Sequence, residues 1–500
     1  MNKISEPRLA IASGSRLGAD AAAVVAGAGG NAVDACLAAA VMAWVAEPCL
    51  ASLAGGGFIV VRAPDGVVEV FEGNSTMPHS LPVEPGQGIE RIFAPDYSDG
   101  LHTGVGPGSV AVPGILAGIH AAWQKHGQIE WPALFTAAIS AARHGISFPR
   151  TSAYFISATW NELWSLFDSG RALFAPDGEP LAEGELLVQA DLAETLQLIA
   201  SEGPDVLYSG EVARAMTEQI AAEGGFLTVD DLSRYEVQVR PPILTEAFGW
   251  RIESNPPPAV GGAGLTHMLA LLEDADLTDP VGRLSAIVEA QRAAAGYREE
   301  RYDDPADVAG ALQEALDELR RPRSSSTTHT SAADSDGYVC SLTETSGYGA
   351  GLVVCGVVLN NTLGEEELNP LGIHRLPPGS RCHSNMAPTI ATGPDRIVGI
   401  GSPGANRIVT AIAQTLIRIA VDGNSLADAV AAPRAHLDPR EQGETLCYEP
   451  GLPGEELNYI TRPYDEVHMY FGGVQAASVD SSGAVDAAYD PRRSGACALV

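Results

Sequence analysis

The sequence predicts an α/β protein with a large buried core, and three observations carry that expectation. Apolar residues make up 45 % of the 500 and charged residues 19 %, the balance of a globular chain and not of a disordered one. Short runs such as Phe58-Ile59-Val60-Val61-Arg62 turn at Pro64-Asp65-Gly66 and return from Val67 to Phe71, as a hairpin should. Longer runs carry helix start signals, Asn31 with Asp34 and Thr228 with Asp231, each a polar cap with an acid three residues on. Nothing between the two halves reads as a linker, so the length fits either one large domain or two to three ordinary ones.

Taken in order, Asn31 and Asp34 open a helix of small residues (Ala35, Cys36, Ala38, Ala39, Ala40, Ala43) that packs closely and stops at Glu47-Pro48. Gly55-Gly56-Gly57 then precedes the first hairpin and reads foremost as a sharp turn. Residues 79–108, rich in Pro, Gly and single charges, read as an irregular segment over the surface or a site mouth. Pro113 opens a helix with Ile115, Leu116, Ile119 and Trp123 on one face, closed by Gly127, and another is expected from Trp131 to Arg143. Asp191 with Glu194 marks a helix over 192–200, and Val212, Met216 and Ile220 mark the next. A strand is expected at Trp250 to Ser254, then a Pro256-Pro257-Pro258 stiffener, Gly261-Gly262, a helix from Leu265 to Glu273, and an amphipathic helix from Leu284 to Arg301. Beyond lie a buried strand from Leu352 to Leu359, a strand from Arg396 to Ile400, a helix from Ile408 to Val421, and a last hairpin of Tyr470 to Val479 with Ala484 to Ala488.

The net charge of −33 argues against nucleic acid and anionic membrane as partners, since both are polyanions. The longest apolar stretch, Ala35 to Ala46, is too short to span a bilayer. The opening residues show no basic stretch before an apolar core, and seven cysteines lack paired spacing, which together lead us to expect a cytoplasmic protein with free thiols. The eleven histidines show no paired ligand spacing and the glycine turns lack phosphate-loop form, so neither a metal nor a nucleotide cofactor is expected.

The chemistry is best placed at Ser324-Ser325-Ser326-Thr327-Thr328-His329-Thr330. After Thr327 the chain alternates, with His329, Ser331 and Ala333 on one face, turns at Asp336-Gly337, and returns through Tyr338 to Thr343. A threonine at a strand start is ordinary. It becomes a nucleophile if the bond before it is cut, because a new α-amine of pKa about 8 can take its hydroxyl proton. The preceding run to Ser326 carries Pro322 and three serines and is the best candidate for an exposed, cleavable segment. Gly401-Ser402-Pro403-Gly404-Ala405-Asn406 feeds a helix and offers backbone N–H groups to an oxyanion. The trio Glu365-Glu366-Glu367 reads foremost as a solvated face.

These motifs, with Gly29-Gly30-Asn31-Ala32-Val33-Asp34-Ala35, Val112-Pro113-Gly114, Val357-Val358-Leu359-Asn360-Asn361, Met386-Ala387-Pro388-Thr389 and Asp490-Pro491-Arg492-Arg493, keep one order along the chain. In that order they resemble the γ-glutamyltranspeptidase family of N-terminal-nucleophile hydrolases. The resemblance implies a four-layer αββα sandwich, built jointly by a large subunit (residues 1–326) and a small catalytic one (residues 327–500) after self-cleavage. It implies Thr327 as nucleophile and, through its amine, base, with Thr345 in support and the backbone of Gly404 and Ala405 as oxyanion hole. It implies a small-molecule amide substrate, an acyl-enzyme passed to water or an amine, and no cofactor.

The departures bear on the substrate. The family holds the glutamyl α-carboxylate with an arginine and a serine pair, whose places here are taken by Asn74 and by Ser384-Asn385. On the ammonium side Thr362 stands where glutamine is usual, and Glu365 replaces the family's carboxylate. Losing a charged bidentate pair costs about 1.5 to 3 kcal/mol, so glutathione and γ-glutamyl anilides are expected to be poor substrates. The alternatives are another amide, a C–C bond next to a carbonyl, or a silent relative that only binds.

Overall fold

The computed structural model describes residues 6–95, 102–297, 327–440 and 443–500. Two antiparallel sheets face one another. The first has seven strands in the order Ala496–Leu499, Leu9–Ser13, Thr328–Asp334, Val339–Thr345, Gly56–Arg62, Val68–Gly73 and Gln238–Arg240. The second has six: Val485–Tyr489, Gln475–Asp480, Arg396–Gly401, Thr389–Thr392, Trp250–Ser254 and Ile243–Ala247. Phe58, Val60, Val70, Ala333, Ile390 and Ala477 fill the space between them, the face-to-face packing that period-two strands dictate. This is the αββα sandwich.

Helices cover both outer faces. On the first sheet lies Ala32–Ala46, every residue of it buried. Its small side chains let the backbone come close, and its start is tied down. Asp34 N–H donates to the Asn31 side chain at 3.0 Å, Asn31 N–H to Asp34 at 3.1 Å, and Ala32 N–H to the Asp334 carboxylate at 2.8 Å, a cap of about 1 kcal/mol. On the second sheet Val260–Leu272, Pro280–Tyr297 and Arg407–Ala420 bury Leu265, Ile287, Ile412 and Leu416. Among the described residues no helix is long and apolar enough to cross a membrane.

Several expected boundaries moved, each for a local reason. The run 352–359 is not one strand but a miniature hairpin, Val353–Val354 against Val357–Val358, turned by Cys355 (φ 50°) and Gly356 (φ 74°). A two-residue turn inside an apolar run leaves no trace in periodicity. Gly261 and Gly262 lie inside the helix Val260–Leu272 and not before it, because a Cβ on either would collide with the carbonyl oxygens of Asn385 and Asn255 respectively. Gln189, not Asp191, stands before the first turn of Ala190–Glu202, with no side-chain bond to the helix because its amide donates to the Val45 carbonyl. The segment from Trp131 splits into a 3-10 turn (Trp131–Leu134) and a helix (Thr136–His144). The last hairpin starts at Gln475, since Met469–Phe471 forms a 3-10 turn before Gly472 at φ 91°. The irregular segment 79–108 contains strands Arg91–Phe93 and Thr103–Val105, with 96–101 outside the described residues. The run before Thr327, the end of the helix expected to Arg301, and residues 1–5 also lie outside them.

Candidate active site

Thr328–Asp334 and Val339–Thr345 pair with Thr328 opposite Glu344 and His329 opposite Thr343, so one step further the register sets Thr327 against Thr345. Alternation sends Thr328 and Glu344 toward the helices and Thr327, His329, Thr343 and Thr345 toward the second sheet. Thr327 is buried, 1 % exposed. Below it the two ring nitrogens of His329 hydrogen-bond Thr343 Oγ1 and Ser331 Oγ, each at 2.8 Å, and the ring fills the space that a Cβ on Gly401 would need. Burial pulls the His329 pKa down to about 3, so the ring is neutral and acts as a spacer between the sheets.

That packing puts Gly401, the end of Arg396–Gly401, at the same end of the sandwich as Thr327. The chain then turns through Gly404 at φ 123° and Ala405 at φ 56°. Ala405 takes a left-handed conformation that costs a non-glycine residue energy. The N–H groups of Gly404 and Ala405 donate to no acceptor among the described residues, while their carbonyls accept from Arg407 N–H (2.9 Å) and Ile408 N–H (3.1 Å). The helix Arg407–Ala420 starts directly after. Two unspent donors thus sit at a helix start, three and four residues beyond Gly401, which packs on the His329 ring.

Thr345 leads to the other half of the site. Its Oγ1 accepts from Gly347 N–H at 2.9 Å. At Gly347, where φ is 64°, a Cβ would collide with Asn361 Oδ1 and Glu365 Oε1, so only glycine lets this loop close on the carboxylate. Glu365 is 3 % exposed and Glu367 likewise, which corrects the expectation of a solvated acidic face; only Glu366 reaches outward. Both carboxylate oxygens of Glu365 are buried without a hydrogen-bond partner among the described residues. Burial first, then the neighbouring Glu367, hold the Glu365 carboxyl well above the usual carboxylate range. Glu367 accepts from the Asn385 amide.

The remaining expected residues are here too. Asn74 lies where a Cβ on Gly56, the partner of Thr345, would be 3.0 Å from its Oδ1. Its amide donates to the Cys382 carbonyl at 2.7 Å and its own carbonyl accepts from Tyr235 and Arg381. Ser384 Oγ accepts from Met386 N–H, and its carbonyl caps the helix Val260–Leu272. Thr362 is positioned by Asn360 and Asn369. Thr103–Val105 borders this pocket, with Asn361 donating to Thr103 Oγ1 at 2.8 Å, so part of the segment 79–108 does line a site mouth.

Sequence reasoning missed a buried acid pair on the helix side of the strands that carry Thr328 and Glu344. Thr328 Oγ1 donates to Glu47 Oε2 at 3.0 Å, and Trp44 Nε1 to Glu344 Oε2 at 2.8 Å. Burial pushes Glu47 up to about 7, against the Thr328 hydrogen bond and the charge of Arg493; burial pushes Glu344 up to about 8. A lone glutamate in an otherwise apolar or hydroxyl strand was the available signal at Glu344; Glu47, ending a helix, gave none.

The family model for gamma-glutamyltranspeptidase matches residues 18–500. The chain belongs to the γ-glutamyltranspeptidase family. Within it, the chain is 28 % identical to the glutathione hydrolase proenzyme of Escherichia coli (strain K12), over 93 % of this chain and 87 % of that one. It is 32 % identical to the acylase ACY 1 proenzyme of Pseudomonas sp. (strain SE83), over 85 % and 81 %. The crystal structure of cephalosporin acylase from Bacillus halodurans superposes with a TM-score of 0.82 at 22 % identity, covering 99 % of this chain and 96 % of that one. The fold is therefore that of the family's N-terminal-nucleophile hydrolases, and the protein is a hydrolase or acyltransferase of that family, whose members are made as proenzymes.

Proposed function

We propose that the chain cleaves itself before Thr327, into residues 1–326 and 327–500, and that the freed threonine hydrolyses or transfers the acyl group of a small-molecule amide. Thr327 Oγ attacks the carbonyl while the α-amine takes its proton. The oxyanion is held by the N–H groups of Gly404 and Ala405. The C–N bond breaks, the leaving amine receives the proton, and water or a second amine releases the acyl group from Oγ. Thr345 opposes Thr327 across the strand pair and braces the loop that carries Gly347. The observation that carries this reading is the pair of unspent N–H donors at the end of the sandwich where Thr327 lies. The seven free cysteines support a reducing, cytoplasmic setting.

Intact mass analysis tests the reading. Wild type should appear as two chains with Thr327 at the new N-terminus, and Thr327→Ala as one. A wild type that stays a single chain after prolonged incubation leaves the nucleophile without its base and defeats the proposal.

The acyl group is not γ-glutamyl in preference. Asn74 stands in the place of the family's arginine and donates to the Cys382 carbonyl, so it brings no cation to an α-carboxylate there.

A further inference from the structure

Among the helices on the outer face of the second sheet lies a cavity of about 380 Å³, between the first turns of Pro280–Tyr297 and the last turns of Arg407–Ala420. That volume is within the range of small-molecule sites. One wall is apolar, built by Leu284, Ile287 and Ile417, with Pro433 and Leu452 closing it from the loop side. The other wall is charged. Arg283 is committed there: Nη1 and Nη2 donate to the two Asp422 oxygens, each at 2.7 Å, and Nε to the Leu277 carbonyl at 2.5 Å. Arg418 gives Asp422 only Nη1, at 2.9 Å, and its Nε and Nη2 donate to no acceptor among the described residues. Two guanidiniums against one carboxylate leave a positive charge on that wall. The acids of the adjoining loop are turned into the loop itself, Asp276 accepting from Thr278 N–H at 3.0 Å and Asp279 from Gly282 N–H at 2.7 Å, and neither lines the cavity. The helix Arg407–Ala420 points its negative end this way, but Val421 N–H and Asn424 N–H take up the Ile417 and Arg418 carbonyls at 2.9 and 3.0 Å, which mutes that end.

An apolar wall facing an open guanidinium edge suits a molecule with the same two parts. Its hydrocarbon leaves water on one side, and its carboxylate gains charge-assisted hydrogen bonds on the other. We propose, independently of the threonine chemistry, that this cavity binds an aliphatic monocarboxylic acid. The carboxylate lies on Nε and Nη2 of Arg418, and the chain lies against Leu284, Ile287, Ile417 and Leu452. An amine of the same length meets a like charge there, and an alcohol forgoes the charge-assisted bonds. The site is remote from the oxyanion turn: Arg418 is eleven residues along the helix from Arg407, roughly 16 Å at 1.5 Å per residue. It also spans the expected cut, since Leu284 and Ile287 precede Thr327 while Ile417, Arg418 and Leu452 follow it. A bound acid therefore touches both pieces, and its binding reads the same on cut or uncut protein.

Titration calorimetry on the full protein with octanoate, octanol and octylamine, each below its micelle concentration, tests the proposal. Octanoate should bind at one saturable site, octanol at least roughly tenfold more weakly, the effect of losing a charge-assisted hydrogen bond, and octylamine not at all. Octanoate should also raise the melting temperature, as any ligand of the folded state does. Arg418→Gln should bring octanoate down to the affinity of octanol and leave octanol unchanged, whereas Arg418→Lys, which keeps the charge, should retain most of the octanoate affinity. Leu452→Trp, which fills the cavity from its loop side, should abolish binding of both. Circular dichroism and melting temperature establish that each variant is folded, and Leu452→Trp carries the test if Arg418→Gln is not. Absence of saturable octanoate binding to wild type overturns the proposal, as does octylamine binding as well as octanoate. Octanoate affinity unchanged in folded Arg418→Gln or Leu452→Trp places the acid elsewhere on the protein and overturns it too. None of these outcomes bears on self-cleavage before Thr327.

Discussion

Asp490 and Glu365 are both carboxylates shut off from solvent, and they differ in what surrounds them. Asp490 Oδ2 accepts from Arg434 Nη1 at 2.7 Å and Val474 N–H at 2.8 Å, and its Oδ1 from Arg492 N–H at 3.0 Å and Nη1 at 3.1 Å. Arg492 also donates through Nε to Glu449 at 2.8 Å. Burial opposes the charge on Asp490, but the two guanidiniums still hold its pKa below the ordinary value. Glu365 has none of this. Two arginines against two acids make a closed, neutral group, whereas the neighbour named beside Glu365 is another acid, Glu367, which adds to the cost of ionising it. The first arrangement is complete in the protein; in the second, both Glu365 oxygens lack a hydrogen-bond partner among the described residues. The network is also placed to matter: Arg434 donates to the Phe471 carbonyl and Asp490 receives Val474 N–H, which pins Gly472 where Gly404 packs on it.

The contrast breaks most visibly at Asp490. Asp490→Asn leaves Arg434 and Arg492 buried beside a neutral group, and should cost about 3 to 5 kcal/mol, the value of orphaning one member of a buried pair. Denaturant titration of the Thr327→Ala background avoids confusing unfolding with subunit separation. A loss below about 1 kcal/mol would mean that the network is not what holds this corner.

Glu47 stands between the two extremes, since it is buried with one donor. The folded chain keeps its proton up to about pH 7, while the unfolded chain releases it near 4.5. Stability from this group is therefore present below about pH 4.5 and lost as pH rises to about 7. For an isolated group the loss amounts to about 3 kcal/mol. Glu47→Gln should flatten the stability profile over that window, and an unchanged slope would assign the titration elsewhere.

Gly404→Val should lower turnover about a hundredfold, the cost of losing an oxyanion donor, because the new Cβ would lie 3.1 Å from Gly472 Cα in a backbone at φ 123°. Near-normal turnover on a reactive ester or anilide would move the oxyanion hole to other donors.

The contrast was only half legible in the sequence. Strand pairs such as Thr328–Asp334 with Val339–Thr345 and caps such as Asn31 with Asp34 are local: period two and a polar residue three before an acid specify them. The candidate residues Thr327, Gly404 and Asn74 are likewise local choices, because they stand at motif positions in the sequence. Burial of Glu365 and Glu367 is not readable. It depends on Gly347 closing over one and Asn385 reaching the other, contacts across 18 residues or more. The same limit hid Glu47, whose partner Thr328 lies 281 residues away. Gly261 and Gly262 looked like punctuation before a helix because glycine usually is; here they are the first turn, thinned to admit the Asn385 and Asn255 backbones.

The smallest effect is the one that separates the two kinds of buried charge. Glu365→Gln keeps the shape of the side chain and removes a charge that the protein itself does not satisfy, so in the absence of substrate it should not destabilise as Asp490→Asn does. It should stabilise, by about 1 kcal/mol near pH 8. The sign follows from the raised pKa. Below the ordinary carboxylate range the wild-type side chain is protonated in both folded and unfolded chains and behaves like glutamine, so the two proteins should unfold alike at about pH 4. As pH rises the unfolded chain ionises while the folded one resists, wild type loses stability, and the variant does not. The gap should therefore open steadily as pH rises. A Glu365→Gln protein that is less stable than wild type at every pH would mean that Glu365 has a structural partner in the folded chain.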